Sequence, residues 1–144
     1  MRNVTTFRKS IGGTATNVAV AAARLGRQVA LCTKVGDDQF GDYVRHALEH
    51  IFNVENRFIA IDPYLQTPLA FDELDPPEDP SIIFYREPRA PDQNIEVADV
   101  DADVVANVPI FWLPASRFSD ERSGAVVSEL LSIRKRKNLS LIHI

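Results

Sequence analysis

The chain has 144 residues, 45% of them hydrophobic, with 16 Lys and Arg against 20 Asp and Glu and a formal net charge of −4. That length suffices for one modest domain with its own core, and the mild acidity without a basic stripe argues against nucleic-acid binding. The single cysteine rules out an internal disulfide, and the lack of a signal-peptide pattern or an apolar run long enough to span a bilayer points to a cytoplasmic protein with no membrane partner.

In chain order, 2–10 reads as a strand or loop leading into Gly12-Gly13. An alanine-rich helix is predicted over 16–25, closed by Gly26 as a C-terminal cap. Glycines without a Cβ let a polar ligand touch the backbone. First-turn N–H groups lack intrahelical partners and suit hydroxyls or anions. Asn17, expected to be buried, adds an amide that donates and accepts, as a sugar hydroxyl requires. The competing reading is that Gly12, Gly13, Ala19, Ala22 and Ala23 serve close packing on a sheet.

The apolar run over 28–35 reads as a buried strand, with Cys32 a small core residue. An amphipathic helix follows over 40–50, with Phe40, Tyr43, Val44, Ala47 and Leu48 on one face. His46 and His50 share a helical face, but the zincin glutamate is missing between them, so they read as solvated. A strand over 57–61 completes a β–α–β–α–β rhythm, which predicts a parallel, helix-covered sheet.

The rhythm then breaks. Two extended apolar runs, 68–74 and 81–86, flank the turn-rich Asp75-Pro76-Pro77-Glu78-Asp79-Pro80 and read as a β-hairpin. A short helix over 100–105, a strand over 109–113 and a helix over 120–136 resume the α/β pattern. Ser119 is expected to cap that last helix. The basic run Arg134-Lys135-Arg136-Lys137 reads as a solvated helix end, where cations favour the dipole.

The run Gly12-Gly13-Thr14-Ala15-Thr16-Asn17, with Ala19, Gly26 and Gly36, resembles the first signature of the ribokinase-like (PfkB) sugar kinases. The match continues through Gly36-Asp37-Asp38-Gln39-Phe40-Gly41. Thr67-Pro68-Leu69-Ala70-Phe71, Phe84-Tyr85-Arg86-Glu87-Pro88 and Ala90-Pro91-Asp92 most resemble the 5-dehydro-2-deoxygluconokinase branch. Tyr85-Arg86 is shared with 2-keto-3-deoxygluconate kinases. The resemblance covers 1–137 as the N-terminal part of a kinase domain, with lid strands near 67–87, and leaves 138–144 as an atypical tail.

The resemblance implies an α/β, ribokinase-like fold with a mostly parallel sheet and a protruding hairpin lid. It implies a parent enzyme of inositol catabolism that uses ATP and Mg²⁺ to phosphorylate a keto-deoxy sugar acid, and that dimerises through its lid. Gly12, Gly13 and Asn17 correspond to the sugar-binding signature. Phe71 with Phe84 or Tyr85 corresponds to the lid's cover over the sugar, and Arg86 to the arginine that meets the acid end of the substrate, a bidentate pairing that suits a guanidinium. Lys34 and Asp37 read as structural supports of the loop after the second strand. The implied Gly-Ala-Gly-Asp base motif and a first strand bearing a sugar-binding aspartate do not occur in this sequence. The chain is therefore expected to hold no catalytic base, to bind ATP and Mg²⁺ poorly, and to expose sheet edges. The alternatives are 2-keto-3-deoxygluconokinase, another PfkB sugar kinase, and a non-catalytic ligand-binding or oligomerisation module.

Overall fold

The computed structural model describes residues 4–73, 81–119, 121–136 and 141–143. Helix α1, Thr14–Arg24, starts two residues earlier than its sequence pattern predicts. Gly13 is its N-cap at φ 98°, a conformation that an L side chain rarely adopts, so the glycine itself sets the start. At the other end, Gly26 at φ 76° donates to the Ala23 carbonyl and reverses the chain.

Strand β1, Thr33–Gly36, and strand β2, Ile59–Asp62, pair in parallel, Thr33 opposite Ile59 and Gly36 opposite Asp62. Only the last part of the predicted 28–35 strand is ladder, and an isolated bridge joins Ala30 to Glu55 ahead of it. Between the strands runs helix α2, Gln39–His46, which continues as a π-helical turn over Ala47–Ile51. Its predicted apolar face is only partly right. Ala47 and Leu48 are fully buried, but Phe40 at the helix start is 43% exposed. The core here gathers Ala19 from α1, Leu31, Val35, Leu48, Val54 and Ile59, with Ala15, Ala23, Val44 and Phe52 packed against them. Small residues on α1 thus bring that helix close to the strand pair.

Strands β3, Leu69–Glu73, and β4, Ser81–Tyr85, form the predicted antiparallel hairpin, Leu69 opposite Tyr85 and Phe71 opposite Ile83. The predicted turn between them lies outside the described residues. Alternation along the strands puts Leu69, Phe71, Ile83 and Tyr85 on one face and Ala70, Asp72, Ile82 and Phe84 on the other.

After two 3₁₀ turns, Pro91–Asn94 and Val97–Asp99, come helix α3, Ala102–Val105, strand β5, Phe111–Leu113, and helix α4, Glu121–Arg136. Asp101 caps α3 by accepting from the Asp103 and Val104 N–H groups. Among the described residues no capping bond from Ser119 to α4 is present. Its hydroxyl donates instead to the Ser116 carbonyl and closes the 3₁₀ turn Ala115–Phe118. The tail contributes strand β6, Leu141–His143, parallel to β5. A second core joins Val100, Val105 and Leu130 to Cys32, Phe111, Val126 and Ile133. Burial pushes the Cys32 thiol up to about 11, helped by Asp99, so it stays a neutral packing group.

The basic run at the end of α4 departs from expectation. Arg134 is 1% exposed. It donates to the carbonyls of Val105, Val108 and Pro109, which lie where α3 ends and its last carbonyls lack intrahelical donors. Lys135 and Arg136 are exposed as predicted.

Candidate functional site

Gly12 and Gly13 lie exposed before α1, and a Cβ on either would meet nothing within 4 Å. The backbone there faces open space, as ligand approach requires. The Asn17 N–H donates to the Gly13 carbonyl at 2.8 Å, so signature residues are held in one turn. The Asn17 side chain is exposed rather than buried, because it sits on the side of α1 away from Ala19 and the core.

The hairpin meets this region through aromatic rings. Phe7 packs edge-on against Phe71 with centroids 5.4 Å apart, and Phe71 packs edge-on against Tyr85 at 5.5 Å. Offset edge contacts of this kind suit the ring quadrupole. Phe7, five residues before Gly12, is a member of the wall that the sequence pattern did not single out; an aromatic just upstream of the glycines was the available signal. Phe84 belongs to the opposite face with Ile82, so of the pair Phe84 or Tyr85, Tyr85 shares the Phe71 wall.

Arg86 follows Tyr85 at the end of β4. Its Nη2 donates to both carboxylate oxygens of Asp92, at 3.0 and 2.9 Å. Arg117 donates to the same carboxylate at 3.1 Å and to the Asp92 carbonyl at 2.6 Å. Asp92 therefore stands between two guanidiniums from different parts of the chain.

A polar network fixes the ground beneath. Asp62, 2% exposed at the end of β2, accepts from the Tyr64 and Leu65 N–H groups and from the Asn94 amide. Burial pushes its carboxyl up, but these donors, with the Lys34 charge, outweigh it and hold the group below 3.8. Lys34 reaches Asp99 at 2.9 Å and the Asn94 carbonyl at 3.3 Å, so it ties β1 to the 94–99 segment rather than to the loop that follows the strand. Asp38, rather than Asp37, organises the loop after β1. It accepts from Phe40 and Gly41 at the start of α2 and from the Thr67 N–H ahead of β3. These donors likewise outweigh desolvation and lower its pKa. Thr67 in turn accepts from the Gly36 N–H at 2.9 Å. Sequence reading gave neither Asp62 nor Thr67 a role: the Tyr64 and Leu65 bonds of Asp62 are local, but the Asn94 it holds and the Gly36 that Thr67 holds lie 32 and 31 residues away.

A surface depression of about 610 Å³ lies beside this ground, lined by Pro88, Arg89, Gln93, Glu121, Arg122 and Ala125. None of the seven sequence-predicted binding residues lines it. Among the described residues no cluster of three or more His, Cys, Asp or Glu is arranged for a metal, and His46 and His50 are exposed with ring centroids 4.7 Å apart.

The family model of pfkB family carbohydrate kinases matches residues 1–142. The chain belongs to that family. It is 39% identical over 106 residues to 5-dehydro-2-deoxygluconokinase 2 of Bacillus cereus, covering 73% of this chain and 31% of that protein. It is also 39% identical over 105 residues to a probable chloroplastic fructokinase-6 of Arabidopsis thaliana, covering 73% of this chain and 27% of that protein. An uncharacterized sugar kinase of Pyrococcus horikoshii, solved in complex with ATP, superposes with a TM-score of 0.85 at 27% identity, over 99% of this chain and 46% of that one. This pfkB chain therefore has a ribokinase-like α/β fold, present as part of a domain, and spans less than half the length of these relatives.

Proposed function

We propose that this pfkB chain supplies the sugar-recognition part of a kinase that moves the γ-phosphoryl group of ATP, with Mg²⁺, to a hydroxyl of a keto-deoxy sugar acid such as 5-dehydro-2-deoxy-D-gluconate. The observation that carries the reading is Arg86 at the end of the Phe7–Phe71–Tyr85 aromatic wall. Such a substrate has an apolar deoxy segment for the wall and a carboxylate for the cation. Gly12 and Gly13 would offer backbone to its hydroxyls, and Asn17 an amide. Phe84, on the outer face of the hairpin, fits self-pairing of a lid between two copies better than cover over a sugar. The proposed setting is the cytoplasm, and the proposed partners are the sugar acid and a second copy.

The sequence contains no Gly-Ala-Gly-Asp, and the described residues offer no metal cluster. A second reading, a neutral ketose such as fructose, is favoured by the fructokinase relative and leaves Arg86 without a substrate role.

The deciding experiment is calorimetric titration of the chain with a keto-deoxy sugar acid, its neutral counterpart and fructose, in the wild type and in Arg86→Ala. Loss of a charge-assisted hydrogen bond should weaken the acid by ~1.5–3 kcal/mol and leave the neutral sugars nearly unchanged. Arg86→Lys should recover only part, because an ammonium lacks the rigid fork that holds Asp92 through one nitrogen while another donates to the ligand. Equal losses for acid and neutral sugars would show that Arg86 only holds the hairpin.

A further inference from the structure

We propose that Asp92 and Arg117 are positioning residues that set the Arg86 guanidinium for a ligand carboxylate. This rests on the sugar-acid reading of Arg86 and adds how that cation is aimed.

Arginine carries five N–H donors in a rigid fork. Among the described residues Arg86 commits Nη2 to Asp92, which leaves Nε and Nη1, on different edges of the fork, each to donate a single hydrogen bond to a ligand. Two guanidiniums around one carboxylate leave one net positive charge at the group. The side chain of Arg86 is 37% exposed, whereas those of Asp92 and Arg117 are 16% and 24% exposed. The group that would meet ligand is thus the most open, and the two behind it are the more enclosed.

The mounting is rigid for a stated reason. Arg117 holds both the carbonyl and the carboxylate of Asp92, so the Asp92 side chain cannot swing without losing a contact. Asp92 sits in the 3₁₀ turn Pro91–Asn94, which is closed by the Gln93 side chain accepting from the Ala90 N–H. Asn94, two residues on, is tied to Asp62 at the end of β2, to Lys34 of β1 and to Arg122 of α4. Arg86 is therefore referenced to the ends of the parallel strands, not merely to the hairpin that carries it. Fixing a recognition group through a second layer of hydrogen bonds is how binding geometry is kept within useful limits.

The test uses the 144-residue chain as wild type, Asp92→Asn, Asp92→Glu, Arg117→Gln and Arg86→Ala. Guanidinium ¹⁵N spectra report rotation of the Arg86 group, and titrations compare a keto-deoxy sugar acid with its neutral counterpart. In the wild type the Arg86 Nη signals should be resolved by restricted rotation. Asp92→Asn should merge them and weaken the acid at least about tenfold, the scale of one charge-assisted hydrogen bond, with the neutral sugar unchanged. Asp92→Glu should restore part of both effects. Should Asp92→Asn fail to fold, Arg117→Gln carries the same readouts, since it removes the clamp and keeps the Asp92–Arg86 pair.

Unchanged Arg86 signals in the folded Asp92→Asn protein would overturn the proposal. So would tighter acid binding, which would make Asp92 a competitor of the ligand. Acid affinity that is absent in the wild type, or indifferent to Arg86→Ala, would sink the sugar-acid reading instead, and the guanidinium spectra would still decide whether Asp92 positions Arg86.

Discussion

Arg134 is a cation at 1% exposure, and its guanidinium takes the place of water at three main-chain carbonyls. The guanidinium carbon also lies 5.8 Å from the centroid of the Phe111 ring. Truncation would leave buried acceptors unsatisfied and a cavity beside β5. Arg134→Ala should therefore lower stability by roughly 3 kcal/mol or more, whereas Arg136→Ala, on the exposed side of the same helix end, should be close to neutral; urea unfolding midpoints of both variants would check this. Asp62 and Asp38 give a residue-scale prediction of opposite chemistry. Both carboxyls titrate below their ordinary value of 3.8 in the folded chain. A depressed folded pKa means the stabilisation is fully present above the unfolded pKa and is lost as pH falls through the folded one. Stability should thus hold through neutral pH and decline below about 3.8. Asp62→Asn should flatten that decline while lowering stability at neutral pH. A pH series of thermal melts showing an unchanged acid limb would contradict it.

At the scale of elements, the junction of β1 and α2 depends on two glycines with no room to spare. A Cβ on Gly36 would meet the Leu65 carbonyl at 2.5 Å and the Thr67 nitrogen at 2.7 Å, and one on Gly41 would strike the Gly36 carbonyl. Glycine-to-alanine normally favours a helix by about 1 kcal/mol. In α2 the sign should reverse, because backbone cannot yield as a side chain can, and Gly41→Ala should destabilise by ~1–3 kcal/mol. Gly124 in α4 is the control. Its nearest atoms lie 3.8 Å from an added Cβ, so Gly124→Ala should stabilise by up to about 1 kcal/mol. Thermal melts of the two single variants should move in opposite directions, and a shared direction would mean that propensity, not contact, governs both. The hairpin was legible at this scale because alternating apolar runs around a proline-rich turn have few other solutions. Its face assignment was not. Which of Phe84 and Tyr85 joins Phe71 depends on the pairing of Leu69 with Tyr85, and a one-residue slip would exchange them.

For the whole molecule, the missing Gly-Ala-Gly-Asp segment bears on activity. Phosphoryl transfer relies on positioning and on charge stabilisation around the transferred group. The Gly-Ala-Gly-Asp sequence does not occur in these 144 residues, and on the proposed reading this chain by itself should show no sugar-dependent ATP turnover. A coupled assay at high chain concentration with keto-deoxy sugar acids should match the blank, and turnover that scales with chain would refute the expectation. Large apolar side chains such as Phe7, Tyr64, Phe84 and Ile110 stand well exposed, which fits a chain that spans 31% of one curated relative's length and 27% of another's.

What the sequence determined alone is local. Glycine conformations, the alanine stripe of α1 and the hairpin follow from steric freedom and short-range periodicity, while family and fold class were legible through the resemblance of Gly12 to Gly41 to a known signature. What only tertiary structure decided is which polar groups meet. Arg134 reads as solvated from sequence because a basic run at a helix end usually is, yet the carbonyls after α3 made it a buried donor. Asp92 enters the sequence reading only within the run Ala90-Pro91-Asp92, and only the fold brings Arg117, 25 residues on, around it. Asp62 turns the chain locally through Tyr64 and Leu65, but its bond to Asn94, like that of Thr67 to Gly36, had no local signal. Those bonds join residues far apart in sequence, and only the folded chain sets which of those distances become short.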